Sequence, residues 1–266
     1  MFAVMSPQEK KGDLMNHIVL IAVCLVVLGC QRPTPSRALP STESAIIDGE
    51  AVASTEGLYR HLVQIKTIRN TDTGVSLFKC SGTALNHLAV LTAAHCMNIF
   101  DITRTVVYKD ETKTSKHYVK EVLFHPTLDA AILLLEDALP TEVKITKIPD
   151  QTLDFTEVLA VGFGLHKGIN NSLGKMGTLR KSRLSIYEIS SDQLTFTVDQ
   201  STTGGICSGD SGGPAFIGGE NEWLQVGIAS LVQFPKNQPD IDPCFYRGLY
   251  LSTATLKPWI ESILPR

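Results

Sequence analysis

From Ile46 to the C-terminus, apolar residues come in short, strand-length runs, each closed by Gly, Asn, Asp or Pro. Leu62–Ile65, Ala89–Leu91, Val106–Tyr108, His117–Phe124 and Ala130–Leu135 read as strands. So do Val158–Val161, Leu194–Val198, Trp223–Leu231 and Leu249–Thr253. Runs of this length with such breaks predict an all-β sandwich or barrel. One stretch departs from the pattern: Leu256, Trp259, Ile260, Ile263 and Leu264 recur at helical spacing, which predicts a terminal helix over 255–264.

The chain of 266 residues is long enough for one large or two small domains. A net charge of -3 gives no basic footprint for nucleic acid. With 43% hydrophobic and 19% charged residues, the chain is not of the disordered class.

The first 45 residues read differently. Ile18–Leu28 is an unbroken apolar run of 11 residues. A spanning helix needs about 20, whereas roughly 7–15 suffice for a secretory signal. Residues 1–30 are therefore expected to be a signal peptide. Its end, Val27-Leu28-Gly29-Cys30, resembles the lipobox of bacterial lipoprotein signals, in which the cysteine becomes acylated. Simple secretion and a lipid-anchored Cys30 both stay open, the second being the one expected route to a membrane. Residues 31–45, rich in Pro, Ser and Thr, predict a propeptide or tether. Export to an extracellular or periplasmic compartment lets Cys80, Cys96, Cys207 and Cys244 pair, and four cysteines allow three pairings. No zinc-type ligand spacing occurs, so no metal is expected.

Three segments carry chemistry. Leu91-Thr92-Ala93-Ala94-His95-Cys96 closes a strand on a histidine. Asp129 heads the apolar run Ala130 to Leu135. Cys207-Ser208-Gly209-Asp210-Ser211-Gly212-Gly213-Pro214 sets a serine among glycines. A serine hydroxyl becomes a useful nucleophile when a base takes its proton during attack. Imidazole suits that task, and a carboxylate can hold its tautomer. Asp101 and Asp110 compete with Asp129 by position, but neither precedes such an apolar strand.

Together these segments resemble those of the chymotrypsin-like (trypsin-like) serine proteases, and the chain is identified as similar to that family, a bacterial member being expected, from Ile46 to Arg266. The resemblance implies two antiparallel β-barrels with a C-terminal α-helix, barrel one at about 46–148 and barrel two at about 151–254. It implies a triad of His95, Asp129 and Ser211, with an oxyanion hole from the N–H groups of Gly209 and Ser211. It also implies disulfides Cys80–Cys96 and Cys207–Cys244, protein or peptide substrates, no cofactor, and a monomer. Gly162-Phe163-Gly164 stands where the family usually has Gly-Trp-Gly, and a third bridge common in animal relatives is missing. The function implied is a secreted serine endopeptidase; the alternative is a catalytically silent binding protein of the same fold.

The same resemblance addresses specificity and activation. Gly205 and Ile206 fall at the base of the primary pocket, Ser230, Leu231 and Val232 along the substrate-pairing strand, and Gly248 on the far wall. No carboxylate stands at the base, which implies cleavage after small or medium apolar residues. Ile46-Ile47-Asp48-Gly49 resembles a mature N-terminus, so a cut after Ala45 would free an α-ammonium to pair with Asp210. The uncut chain is then expected to be a zymogen.

Overall fold

The computed structural model describes residues 46–110, 113–170, 176–219 and 222–264. The expected signal (1–30), the expected tether (31–45) and Cys30, whose acylation was one of two open readings, lie outside the described residues.

Among the described residues, thirteen strands and one α-helix follow in order: β1 (Glu50–Ala51), β2 (Val63–Thr71), β3 (Gly74–Asn86), β4 (Ala89–Thr92), β5 (Asp101–Lys109), β6 (Thr114–Phe124), β7 (Ala131–Leu135), β8 (Glu157–Gly162), β9 (Arg180–Ile189), β10 (Thr195–Asp199), β11 (Pro214–Gly219), β12 (Glu222–Gln233), β13 (Arg247–Ser252) and α1 (Thr253–Ile263). β2-β3-β4-β7-β6-β5 close into one antiparallel barrel. β8-β9-β10-β13-β12-β11 close into a second, because β8 pairs with both β9 and β11. The two barrels share one connection order. Closure gives every barrel strand a neighbour on each side, although β12 runs past its pairing with β11, which stops at Ile228.

Two cores fill these barrels. Val63, Ile65, Val90, Val106, Tyr108 and Leu133 pack in the first. Val158, Leu184, Phe196, Val198, Val226 and Tyr250 pack in the second. The run at β7 is apolar on both faces for a reason. Leu133 and Leu135 turn into the first core, while Ala130 and Ile132 join Ile228, Leu251, Leu256 and Ile260 in a cluster shared with α1. Strand side chains alternate faces, so a strand buried on both reads as continuous apolar sequence.

Barrel one was expected at about 46–148, and the stretch before β2 pairs elsewhere. β1 pairs with β9, Glu50 opposite Lys181, and Ile46 is wholly buried in the second core. The segment before β2 therefore belongs with the second barrel, and the first begins at Val63. The helix starts at Thr253, two residues before the predicted start.

Candidate active site

β4 and β7 run antiparallel, with Thr92 opposite Ala131. Residues just past the end of β4 therefore meet residues just before β7. His95 sits in the 3₁₀ turn Ala94–Cys96, and Asp129 two residues ahead of β7. Asp129 Oδ1 accepts the His95 backbone N–H at 2.9 Å, and Asp129 Oδ2 lies 2.8 Å from His95 Nδ1. The rival Asp101 is taken up elsewhere, by Arg69 at 2.7 Å and Arg104 at 3.3 Å. Asp110 accepts the Lys113 N–H at 2.9 Å.

A third donor reaches the same carboxylate. Ser230 Oγ donates to Asp129 Oδ2 at 2.6 Å. The register of β12 against β13 shifts between Ala229 and Leu231, and such a bulge re-aims a side chain. Sequence reasoning placed Ser230 with the substrate and missed this contact. Burial alone would raise the Asp129 carboxyl, but the hydrogen bonds from His95 and Ser230 outweigh it and hold its pKa below the usual value.

The Ser211 turn lies between β10 and β11, in the second barrel, and docks onto the first. Ser211 C=O accepts from the Ser81 N–H at 2.9 Å. It also lies 3.7 Å from Cys96 Sγ, next door to His95. The Cys80–Cys96 and Cys207–Cys244 disulfides are both formed. His95, Cys80 and Cys96 offer atoms within 4.8 Å of one another, but sulfurs joined in a disulfide are not thiolate ligands.

The peptide planes around the serine are fixed from behind. Ser208 C=O accepts from Leu165 N–H at 2.8 Å, and Asp210 C=O from Gly213 N–H at 2.8 Å. In a trans peptide the N–H points opposite its carbonyl, so the Gly209 and Ser211 N–H groups face away from those partners. Among the described residues, neither N–H donates a hydrogen bond. Gly209 has φ 98, a region glycine enters without strain. Its carbonyl accepts from the buried Ser81 Oγ at 3.0 Å, and that oxygen accepts the Phe163 N–H at 3.1 Å.

Asp210 is wholly buried. Its carboxylate accepts the Gly164 N–H at 2.7 Å and the Cys207 N–H at 2.9 Å. Burial pushes its carboxyl up to about 7, against the opposing pull of those two donors. Gly162 and Gly164 lie so close to this carboxylate that a Cβ on either would strike it. Ile47 N–H donates to Gly205 C=O at 2.8 Å, and its side chain packs on Cys207 and Cys244.

Beside Ser211 opens a cavity of about 270 Å³, lined by residues that include Ile169, Ile206, Ser230, Leu231, Val232 and Phe234. Gly205 and Gly248 do not line it. They stand behind, where the Gln200 side chain fills the space between them.

Two closed six-stranded barrels, with a His–Asp pair on one and a glycine-flanked serine on the other, define the double-barrel class of serine hydrolases. The chain matches the Trypsin family over residues 46–260. A protein named Trypsin from the insect Phaedon cochleariae is 30% identical over 213 residues, spanning 68% of this chain and 77% of that relative. The chain belongs to the trypsin family of chymotrypsin-like serine proteases. An insect relative lends no support to the expectation of a bacterial source.

Proposed function

We propose that the mature chain is an active serine endopeptidase. The observation that carries this reading is the doubly held His95. With Asp129 ionised, the 2.8 Å contact requires Nδ1 to be the donor, and a neutral imidazole then has its lone pair on Nε2. That nitrogen takes the Ser211 proton as Oγ attacks the substrate carbonyl carbon. The carbonyl oxygen becomes an oxyanion, met by the Gly209 and Ser211 N–H groups. One such donor is worth about 2.7–4 kcal/mol of barrier. Nε2 returns the proton to the leaving amine as the C–N bond breaks. Water then hydrolyses the acyl-enzyme with His95 again as base.

The apolar cavity beside Ser211 suits a small or medium apolar side chain before the scissile bond. Val232 is one of its apolar lining residues, and Ser230–Val232 offers a strand edge for the substrate backbone beyond the end of the β11 pairing. Cutting between Ala45 and Ile46 would supply an α-ammonium for the buried Asp210. Ile46 has φ 49, a costly conformation for a β-branched residue; hydrolysis of the bond before it abolishes that torsion. The leader at 18–28 directs export. A lipid on Cys30 would tether the precursor until this cut releases it, and the lipobox-like Val27–Cys30 is the feature that points to a bacterial source.

A panel of peptide amides tests the reading on protein beginning at Ile46. Hydrolysis should be fastest after Ala, Val or Leu. Faster hydrolysis after Arg than after Ala would overturn the neutral pocket, and no hydrolysis of any amide would overturn the endopeptidase.

A further inference from the structure

We propose that Gln200 is a specificity-determining residue that closes the floor of the primary pocket and keeps it short and uncharged. The inference rests on the protease reading above. Gln200 follows β10 directly and is wholly buried. Its Nε2 donates to Ile206 C=O at 3.1 Å and to Cys244 C=O at 3.0 Å, and its Oε1 accepts the Ile206 N–H at 3.0 Å. One amide thus ties Ile206, which lines the cavity, to the backbone at Cys244, which stands behind it. The same amide occupies the gap between Gly205 and Gly248: a Cβ built on either glycine would run into it. Ile206 lies in front, at the cavity lining, and its side chain leaves no room for a Cβ on Gly248.

Two consequences follow. A substrate side chain that passes Ile206 meets Gln200 where it would need empty space, so length is limited. The cationic end of an Arg or Lys would also find a poor partner there. Both amide hydrogens and one lone pair of Gln200 are already engaged by the Ile206 and Cys244 backbone, and burying an unpaired charge is costly.

The test compares mature wild type, Gln200→Ala and Gln200→Met. Active sites are counted with a fluorophosphonate, and kcat/KM is then measured for peptide amides ending in Ala, Val, Leu or Phe. Wild type should favour Ala over Phe by at least tenfold. Gln200→Ala empties the floor, and its Phe-to-Ala ratio should rise tenfold or more. Gln200→Met refills the volume without the amide, so the wild-type ratio should persist even where stability drops. A labelled Gln200→Ala with the wild-type ratio would overturn the proposal, as would a Gln200→Met that shifts equally. Should Gln200→Ala not fold, Gln200→Ser, which keeps a hydroxyl for the Ile206 backbone, takes its place. A wild type that hydrolyses Phe as fast as Ala overturns the proposal without any variant. Absence of labelling in wild type would instead strike at the protease reading.

Discussion

Ser230 Oγ and His95 Nδ1 meet on the same oxygen of Asp129, at 2.6 Å and 2.8 Å. One comes from the second barrel and the other from the first, so the carboxylate is oriented by both halves of the domain. Ser230→Ala removes one hydrogen bond to a charged group, worth about 1.5–3 kcal/mol. We expect kcat to fall roughly tenfold with KM nearly unchanged. Asp129→Asn should keep the fold but lose about 10⁴ in kcat, because the imidazole tautomer is then wrong. Steady-state kinetics on both variants decide; an Asp129→Asn enzyme with full activity would mean that another acid serves.

Ser81 is a second link across the barrels. Its buried hydroxyl donates to Gly209 C=O and accepts from Phe163 N–H, fixing the peptide that follows the Gly209 N–H. Ser81→Gly should lower kcat about tenfold or more, on the scale of part of one oxyanion donor, and raise KM little. A change confined to KM would show that Ser81 does not position the oxyanion loop.

Asp210 gives the uncut chain a pH signature. Its folded carboxyl is raised to about 7 from an ordinary 3.8, so between those values the folded state holds a proton that the unfolded state has released. The stability contributed by that proton is complete below about 4 and is lost as pH rises to about 7. Denaturant midpoints of the uncut Ser211→Ala chain should decline across that window and level off above it. Asp210→Asn should remove the slope. In protein beginning at Ile46 the slope should also vanish, since a paired ammonium keeps the carboxylate ionised. A cut chain with the same slope as the uncut one would contradict the Ile46–Asp210 pair.

Self-processing follows from a pocket that suits small residues and a cut site after Ala45. Uncut Ser211→Ala protein should remain intact alone and yield an Ile46 N-terminus once a trace of active enzyme is added, as read by N-terminal sequencing. Cutting of the mutant in a protease-free system would rule this route out.

Much of this was legible from local pattern. His95, Asp129 and Ser211 each sit in a short motif whose residue types announce the chemistry, and the strands whose runs turn inward, such as β4, β7 and β12, were read correctly. β3, β9 and β11 were not. β3 exposes Val75, Leu77 and Phe78, and β9 exposes Tyr187 and Ile189. These exposed apolar residues spoil any clean alternation in β3 and β9, whereas β11 opens on Pro214 and ends on Gly218-Gly219, residues that read as turn. β1 was lost for a different reason: its partner β9 lies some 130 positions away, beyond any periodicity. Ser230 and Gln200 gain their roles from a bulge and from a gap between two glycines, features that exist only once strands are paired.

The central claim is that Ser211 is activated by His95. Mature protein should react with a fluorophosphonate at neutral pH, mass analysis should place the adduct on Ser211, and His95→Ala should abolish it while retaining the fold by circular dichroism. A folded wild-type protein that stays unlabelled, or that labels equally in His95→Ala, would contradict the account.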